Sequence, residues 1–160
     1  MGDDAQFLMV EPPRGMYPGR LDDKGRLKLP ATFAQFFAAH REKTLFVTSL
    51  DRRIAQIYTL YKWREAEKFF ETYREDPQLA RRVAFNAADL GAECEMDNQG
   101  RVLFSPELRR ELGIEGQPVK IFSYRGRLEV LSEKIYQEMR QNAVQVTTDD
   151  LDKLERAGLP

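Results

Sequence analysis

Hydrophobic and polar positions alternate along "RLKLP", so Arg26 and Lys28 share one face while Leu27 and Leu29 share the other. That period of two predicts a half-buried strand. The preceding "DDKG" reads as a turn, with Gly25 where a short loop commonly needs positive φ, and Pro30 ends the strand. Phe33, Phe36 and Phe37 then recur at helical spacing in "ATFAQFFAAHR". Two more strands follow, "TLFVTSL" and "RIAQIYTL", parted by a charged turn from Asp51 to Arg53. A longer helix closes the run, with Trp63, Ala66, Phe70 and Tyr73 along one face of "KWREAEKFFETY".

The same order returns about 75 residues later. "DNQGR" repeats "DDKGR", placing Asp97, Gly100 and Arg101 where Asp22, Gly25 and Arg26 stood. Ser105 is a good N-cap, Pro106 suits the first helical position, Leu108 and Leu112 lie one turn apart, and Gly113 is a natural stop. The strands "PVKIFSY" and "RLEVLS" turn near Arg125 and Gly126; the helix "EKIYQEMRQ" is capped by Ser132 and faces inward with Ile135 and Met139. Between the copies, "DPQLARRVAFNAADLG" predicts a helix after Pro77, with Leu79, Val83 and Asn86 or Ala87 on its inner stripe. A half-unit of this size is marginal alone, and its short strands leave open edges. The pattern therefore predicts one α+β domain of two intertwined ββαββ-type half-units around a shared core, related by a pseudo-two-fold.

Composition fits a packed domain, with 42% hydrophobic and 11% aromatic residues. The acidic start "MGDDAQFLMV" lacks the basic region of a secretory signal, and no stretch approaches a membrane span. One cysteine, Cys94, excludes an intramolecular disulfide, so the expected location is the cytosol. The net charge of −1 argues against a polybasic protein but hides a local bias. Between Arg14 and Lys28 stand five basic residues, Arg14, Arg20, Lys24, Arg26 and Lys28, against Asp22 and Asp23. The closing stretch "TTDDLDKLERAGLP" is acidic and is expected to be solvated.

Catalysis finds little support. His40 and Cys94 are the only residues of their kinds, so no Cys/His metal cluster forms within a protomer. Cys94 sits between Glu93 and Glu95, which would raise its pKa rather than activate it. Asp22/Asp23 and Asp149/Asp150 read as turn and tail, and there is no Gly-rich phosphate loop. No enzyme, cofactor, metal or small-molecule substrate is expected.

Asp, three residues, then Arg, occurring twice in "DDKGR" and "DNQGR", resembles the MraZ family of bacterial transcriptional regulators, built from tandem SpoVT/AbrB-type units. "RLDDKGRLKLP", "RG" at Arg14 and Gly15, "RRV" at 81–83, "AECEMDNQGRV" and "SPELRREL" support the match across roughly Arg14 to Gln141. Pro13 departs from it where the family tends to have an aromatic residue. The resemblance implies a swapped-hairpin, AbrB-like β-barrel with flanking helices, and a division into an extension (1–13), unit 1 (14–64), a helical linker (65–90), unit 2 (91–137), and a helical end with acidic tail (138–160). It further implies a ring-like homo-oligomer, nucleoid-associated in the cytoplasm. Such a ring would bind double-stranded DNA at closely spaced direct repeats upstream of its own cell-division and cell-wall operon.

Arginine can fork onto the O6 and N7 of guanine, while lysines suit phosphates and a β-ribbon fits the major groove. The expected DNA contacts are Arg14, Arg20, Lys24, Arg26, Lys28 and Arg101, with Asp22, Gly25, Asp97 and Gly100 shaping the turns. Arg101 lies in a more acidic stretch, from Glu93 to Arg110, so the second unit is expected to be mainly architectural. The competing reading is an oligomeric interaction scaffold that binds no nucleic acid.

Overall fold

The structure is a computed structural model that describes residues 11–160. The expected N-terminal extension lies, up to residue 10, outside the described residues. Among the described residues eight strands are formed: β1 (Tyr17–Arg20), β2 (Arg26–Lys28), β3 (Thr44–Thr48), β4 (Ala55–Thr59), β5 (Ala92–Glu95), β6 (Arg101–Leu103), β7 (Pro118–Tyr124) and β8 (Arg127–Ser132). The helices are α1 (Ala31–Ala38), α2 (Leu60–Thr72), α3 (Pro77–Leu90), α4 (Pro106–Leu112), α5 (Glu133–Ala143) and α6 (Thr148–Arg156).

The strands pair across the two half-units. One sheet has the order β1-β7-β8-β4-β3-β5, and a separate ribbon pairs β2 with β6. The sheet reads the same from either end once β1 is equated with β5, β7 with β3 and β8 with β4. Equivalent positions meet on the pseudo-two-fold: Leu27 faces Val102 in the ribbon, and Gln56 faces Glu129 at the centre of the sheet. The halves interleave, but among the described residues the sheet is open, with β1 and β5 at its ends, and the expected closed barrel is not formed.

A single core explains the interleaving. Leu27, Leu29, Phe33 and Ile57 from the first half pack with Val102, Phe104, Leu108 and Ile121 from the second, and none is more than 1% exposed. Burial of such a side chain stabilises by ~1.5–3 kcal/mol, and neither half has enough of them to close a core alone. A second cluster joins Tyr58, Trp63 and Ala87 to Phe46 and Phe70 under α2 and α3.

The helix termini form where the capping residues stand. Ser105 Oγ accepts from the Leu108 N–H and Ser132 Oγ from the Ile135 N–H, each at 3.2 Å, and Gly113 ends α4 in the left-handed region at φ 65°. Trp63, Ala66 and Phe70 turn inward on α2 as predicted, whereas Tyr73, just past its end, stacks on the exposed Phe69, and Met139 on α5 stays exposed. The stripe on α3 differs. Ala80, Ala87 and Leu90 are buried and Leu79 is exposed, because small residues let α3 approach the sheet closely: Thr48 Oγ1 donates to the Ala87 carbonyl at 2.8 Å. The acidic tail is solvated as expected, but it contains the helix α6, which its high charge concealed.

Arg52 ties the linker helix to both halves. From the β3–β4 turn it donates to Asp89 at 2.9 Å, Glu111 at 2.8 Å and Asn86 at 3.0 Å, holding a left-handed φ of 62° as it does so. The buried Glu129 is likewise satisfied, accepting from Arg127 at 3.0 Å and from Gln56 at 3.3 Å. No helix among the described residues is long and apolar enough to cross a membrane.

Candidate nucleic-acid interface

Each "DxxGR" turn is built around its aspartate. Asp22 Oδ1 accepts from the Lys24 and Arg26 N–H groups, both at 2.9 Å, and Oδ2 accepts from Arg26 Nε at 2.9 Å. Asp97 repeats the arrangement with Gln99, with Arg101 N–H and with Arg101 Nε at 2.7 Å. Hydrogen bonds to the carboxylate, first from the arginine's backbone N–H and then from its guanidinium, hold both acids below their usual range. Gly25 and Gly100 occupy the positive-φ corner at 82° and 75°.

After the turn the two arms part. Only the bridge Leu21–Leu27 joins them in the first copy; β1 leaves to pair with β7, and β2 pairs with β6. The two-stranded element at this site therefore takes one strand from each half-unit. Reciprocal bonds clamp its ends: Leu29 N–H donates to Gly100 C=O and Phe104 N–H to Gly25 C=O, each at 2.9 Å.

Alternation sets what the ribbon presents. Leu27 and Val102 are fully buried on its inner face. Arg26, Lys28, Arg101 and the half-exposed Leu103 therefore lie on its outer face, with Lys28 directly opposite Arg101 and Arg26 opposite Leu103. Like charges directly opposed on a ribbon are destabilising unless a counter-charge lies over them. Asp22 and Asp97 each engage their arginine through Nε; among the described residues the Nη donors of Arg26 and Arg101 and the ammonium groups of Lys24 and Lys28 make no hydrogen bond.

The other expected contacts lie elsewhere. Arg20, on β1, donates to the Gly116 carbonyl at 2.7 Å, and Arg14 is paired with Glu11 at 3.4 Å. Lys24 rides the exposed tip of the first turn. Arg101, whose local sequence suggested an architectural role, stands beside Lys28.

One basic residue was missed. Arg109 of α4 lies against Gly25, its side chain only 14% exposed and its Nε buried without a hydrogen-bond partner, 3.8 Å from Glu115. Its counterpart over Gly100 is Ala34 of α1, so the first turn carries an extra cation lent by the second half-unit. Superposing the repeats as "LPATFA" on "FSPELR" would have found it. Elsewhere, burial and then Glu95 push the Cys94 thiol up, leaving it a poor nucleophile, and no group of acidic, His or Cys residues among the described residues is placed to hold a metal.

The chain is similar to known proteins over most of its length. The family model described as "MraZ protein, putative antitoxin-like" matches residues 90–156. Over 147 residues the chain is 33% identical to the transcriptional regulator MraZ of Acidobacterium capsulatum, covering 91% of this chain and 99% of that protein. The MraZ proteins of Koribacter versatilis (36% over 108 residues, 65% of this chain and 71% of that one) and Thermomicrobium roseum (34% over 110 residues, 67% and 72%) are also similar.

Proposed function

The chain belongs to the MraZ family, and on that premise we propose that it is a DNA-binding transcriptional regulator whose reading surface is the outer face of the β2–β6 ribbon. The observation that carries this reading is the opposition of Lys28 and Arg101 beside Arg26. Asp22 and Asp97 each hold one arginine through Nε only, so a polyanion can still engage the Nη donors and the Lys28 ammonium on the same face. A two-stranded ribbon also has the width to enter a major groove, where free Nη donors suit guanine and lysine suits phosphate. Lys24 and Arg109 add charge at the first turn, so Arg26 is the principal base contact and Arg101 a second, weaker one.

The target class is closely spaced direct repeats upstream of the protein's own cell-division and cell-wall operon, in the nucleoid. One short ribbon per chain binds weakly, so several chains in a ring engage successive repeats through effective concentration. Cyclic symmetry also suits direct repeats, whereas a two-fold dimer suits palindromes. We assign the interleaved sheet and ribbon to the swapped-hairpin AbrB-like architecture, with units at 14–64 and 91–137.

Fluorescence anisotropy on the DNA upstream of the protein's own gene tests this, comparing wild type with Arg26→Ala at two salt concentrations and checking assembly size by light scattering. Tight, salt-sensitive binding that is lost in the variant is the expected result. No binding by a correctly assembled wild type would overturn the reading in favour of an interaction scaffold.

A further inference from the structure

The sheet has a second polar face, turned away from the ribbon. Along β7, Val119 and Ile121 are buried in the shared core with Leu27 and Val102, so Lys120, Phe122 and Tyr124 stand on the opposite side. The pseudo-equivalent face of the first half is covered: Phe46 lies 4.7 Å from Trp63, and Ala87 of α3 packs on the same cluster. The strand registers equate Phe46 with Lys120. Counting from the caps Thr59 and Ser132 equates Trp63 with Tyr136 and Glu67 with Arg140. An aromatic pair has thus become a lysine over a tyrosine, and an acid has become an arginine.

The cations and rings of this face form one row. Lys120 Nζ and the Arg140 guanidinium lie 5.2 and 5.7 Å from the Tyr136 ring. The rings of Phe122 and Tyr124 are 6.2 Å apart, and Arg125 and Arg127 lie 5.3 and 5.7 Å from that of Tyr124. Significant cation–aromatic pairs occur about once per 70–80 residues, so four on one face is a concentration. The nearby carboxylates are already engaged. Glu129 is buried between Arg127 and Gln56, Glu133 at the border accepts from Gln137 at 3.0 Å, and Glu65 is held at 3.4 Å by Lys62, which lies against Gly126. Among the described residues Lys120, Arg125 and Arg140 enter no ion pair, and Tyr124 is 44% exposed.

We propose that this face is a second nucleic-acid site, one that takes a single strand. Unpaired bases stack on Tyr124 and Tyr136, and Lys120, Arg125 and Arg140 take the phosphates. A cation over an exposed ring is weakly held, so an incoming base replaces it and the displaced guanidinium turns to the adjacent phosphate. A duplex keeps its bases stacked on each other and offers no face to a ring. The ribbon lies across the core from this row, so the proposal rests on no part of the duplex reading.

Fluorescence anisotropy on the full chain tests it with a labelled oligothymidylate and a labelled oligouridylate, whose relative affinities separate DNA from RNA. Wild type is expected to bind at least one. Tyr124→Ala should weaken that binding about 5- to 150-fold, the range for stacking one base on one ring. Arg125→Ala should lower the slope of log affinity against log salt by ~0.7. Both variants should keep the wild-type assembly mass, and Arg26→Ala should keep single-strand binding. Binding of neither oligonucleotide by wild type overturns the proposal. So does binding that survives Tyr124→Ala but is lost in Arg26→Ala, which would put the strand on the ribbon. A Tyr124→Ala protein of altered mass would assign the face to contact between copies instead. Polyglutamate that competes as well as either oligonucleotide would assign it to an acidic protein segment.

Discussion

Arg109 fills the space that a side chain on Gly25 would need: a Cβ there would collide with the guanidinium and come within 2.7 Å of Cδ. At the equivalent Gly100 the nearest atom is Ala34 Cβ, at an ordinary 3.4 Å. Both glycines have positive φ, so alanine at either costs ~1–2 kcal/mol in backbone strain. Gly25→Ala should therefore cost more than Gly100→Ala in thermal or urea unfolding. Arg109→Ala should shrink the Gly25→Ala penalty and leave that of Gly100→Ala unchanged. Equal penalties in both backgrounds would mean that Arg109 does not brace the turn.

The ribbon makes a graded prediction for DNA. Lys28→Ala should weaken binding similarly across target sequences and reduce the slope of log affinity against log salt by ~0.9. Arg26→Ala should also erase discrimination at one guanine, a loss of ~1–3 kcal/mol. Arg101→Ala should have a smaller effect than Arg26→Ala, since no cation stands over Gly100. A larger effect of Arg101→Ala in an intact assembly would reverse that order.

Acid should loosen the two turns. Asp22 and Asp97 titrate lower in the folded chain than the unfolded value of 3.8. Their contribution is thus complete above that value and is lost as pH falls through their folded values. The Asp22→Asn/Asp97→Asn variant should be less stable than wild type at neutral pH, and its stability should fall less steeply below pH 4. Parallel curves in denaturant titrations at several pH values would contradict this.

Arg52 separates backbone from side chain. Its partners Asp89 and Glu111 lie on α3 and α4, and its φ of 62° suits glycine. Arg52→Ala loses the ties and keeps the strain, whereas Arg52→Gly loses the ties but also relieves the strain. The expected order of thermal midpoints is wild type, then Gly, then Ala.

Leu27 and Val102 meet on the pseudo-two-fold, both fully buried. Leu27→Ala should cost ~2–5 kcal/mol and should expose the Phe104 amide to hydrogen exchange as well as that of Leu29, because both donate across the ribbon and it opens as one unit.

Much of this architecture was legible because local chemistry decides it. Ser105, Ser132 and Gly113 cap helices through their own side chains or φ, and "DxxGR" closes its turn within five residues. The partner of β2 was not legible. A three-residue strand shows by alternation which face is buried, but nothing in "RLK" says whether it pairs with its own hairpin arm or with a strand 75 residues away. Arg109 was hidden for a related reason. In "PELRREL" it reads as one more surface cation, and only its approach to Gly25 across the half-units sets it apart. Leu79 misled because a helix with small residues at 80 and 87 packs on those alanines and turns its larger side chain outward.

The two reciprocal bonds, Leu29 to Gly100 and Phe104 to Gly25, have a consequence for the order of events at the ribosome. β2 emerges long before its ladder partner, β6, has been synthesised. At about 5–20 residues per second the separation of roughly 75 residues is a delay of about 4–15 s. Throughout that interval the first half carries Leu27, Leu29 and Phe33 without the residues that will cover them, so a chain stalled before Leu103 is a natural substrate for chaperones.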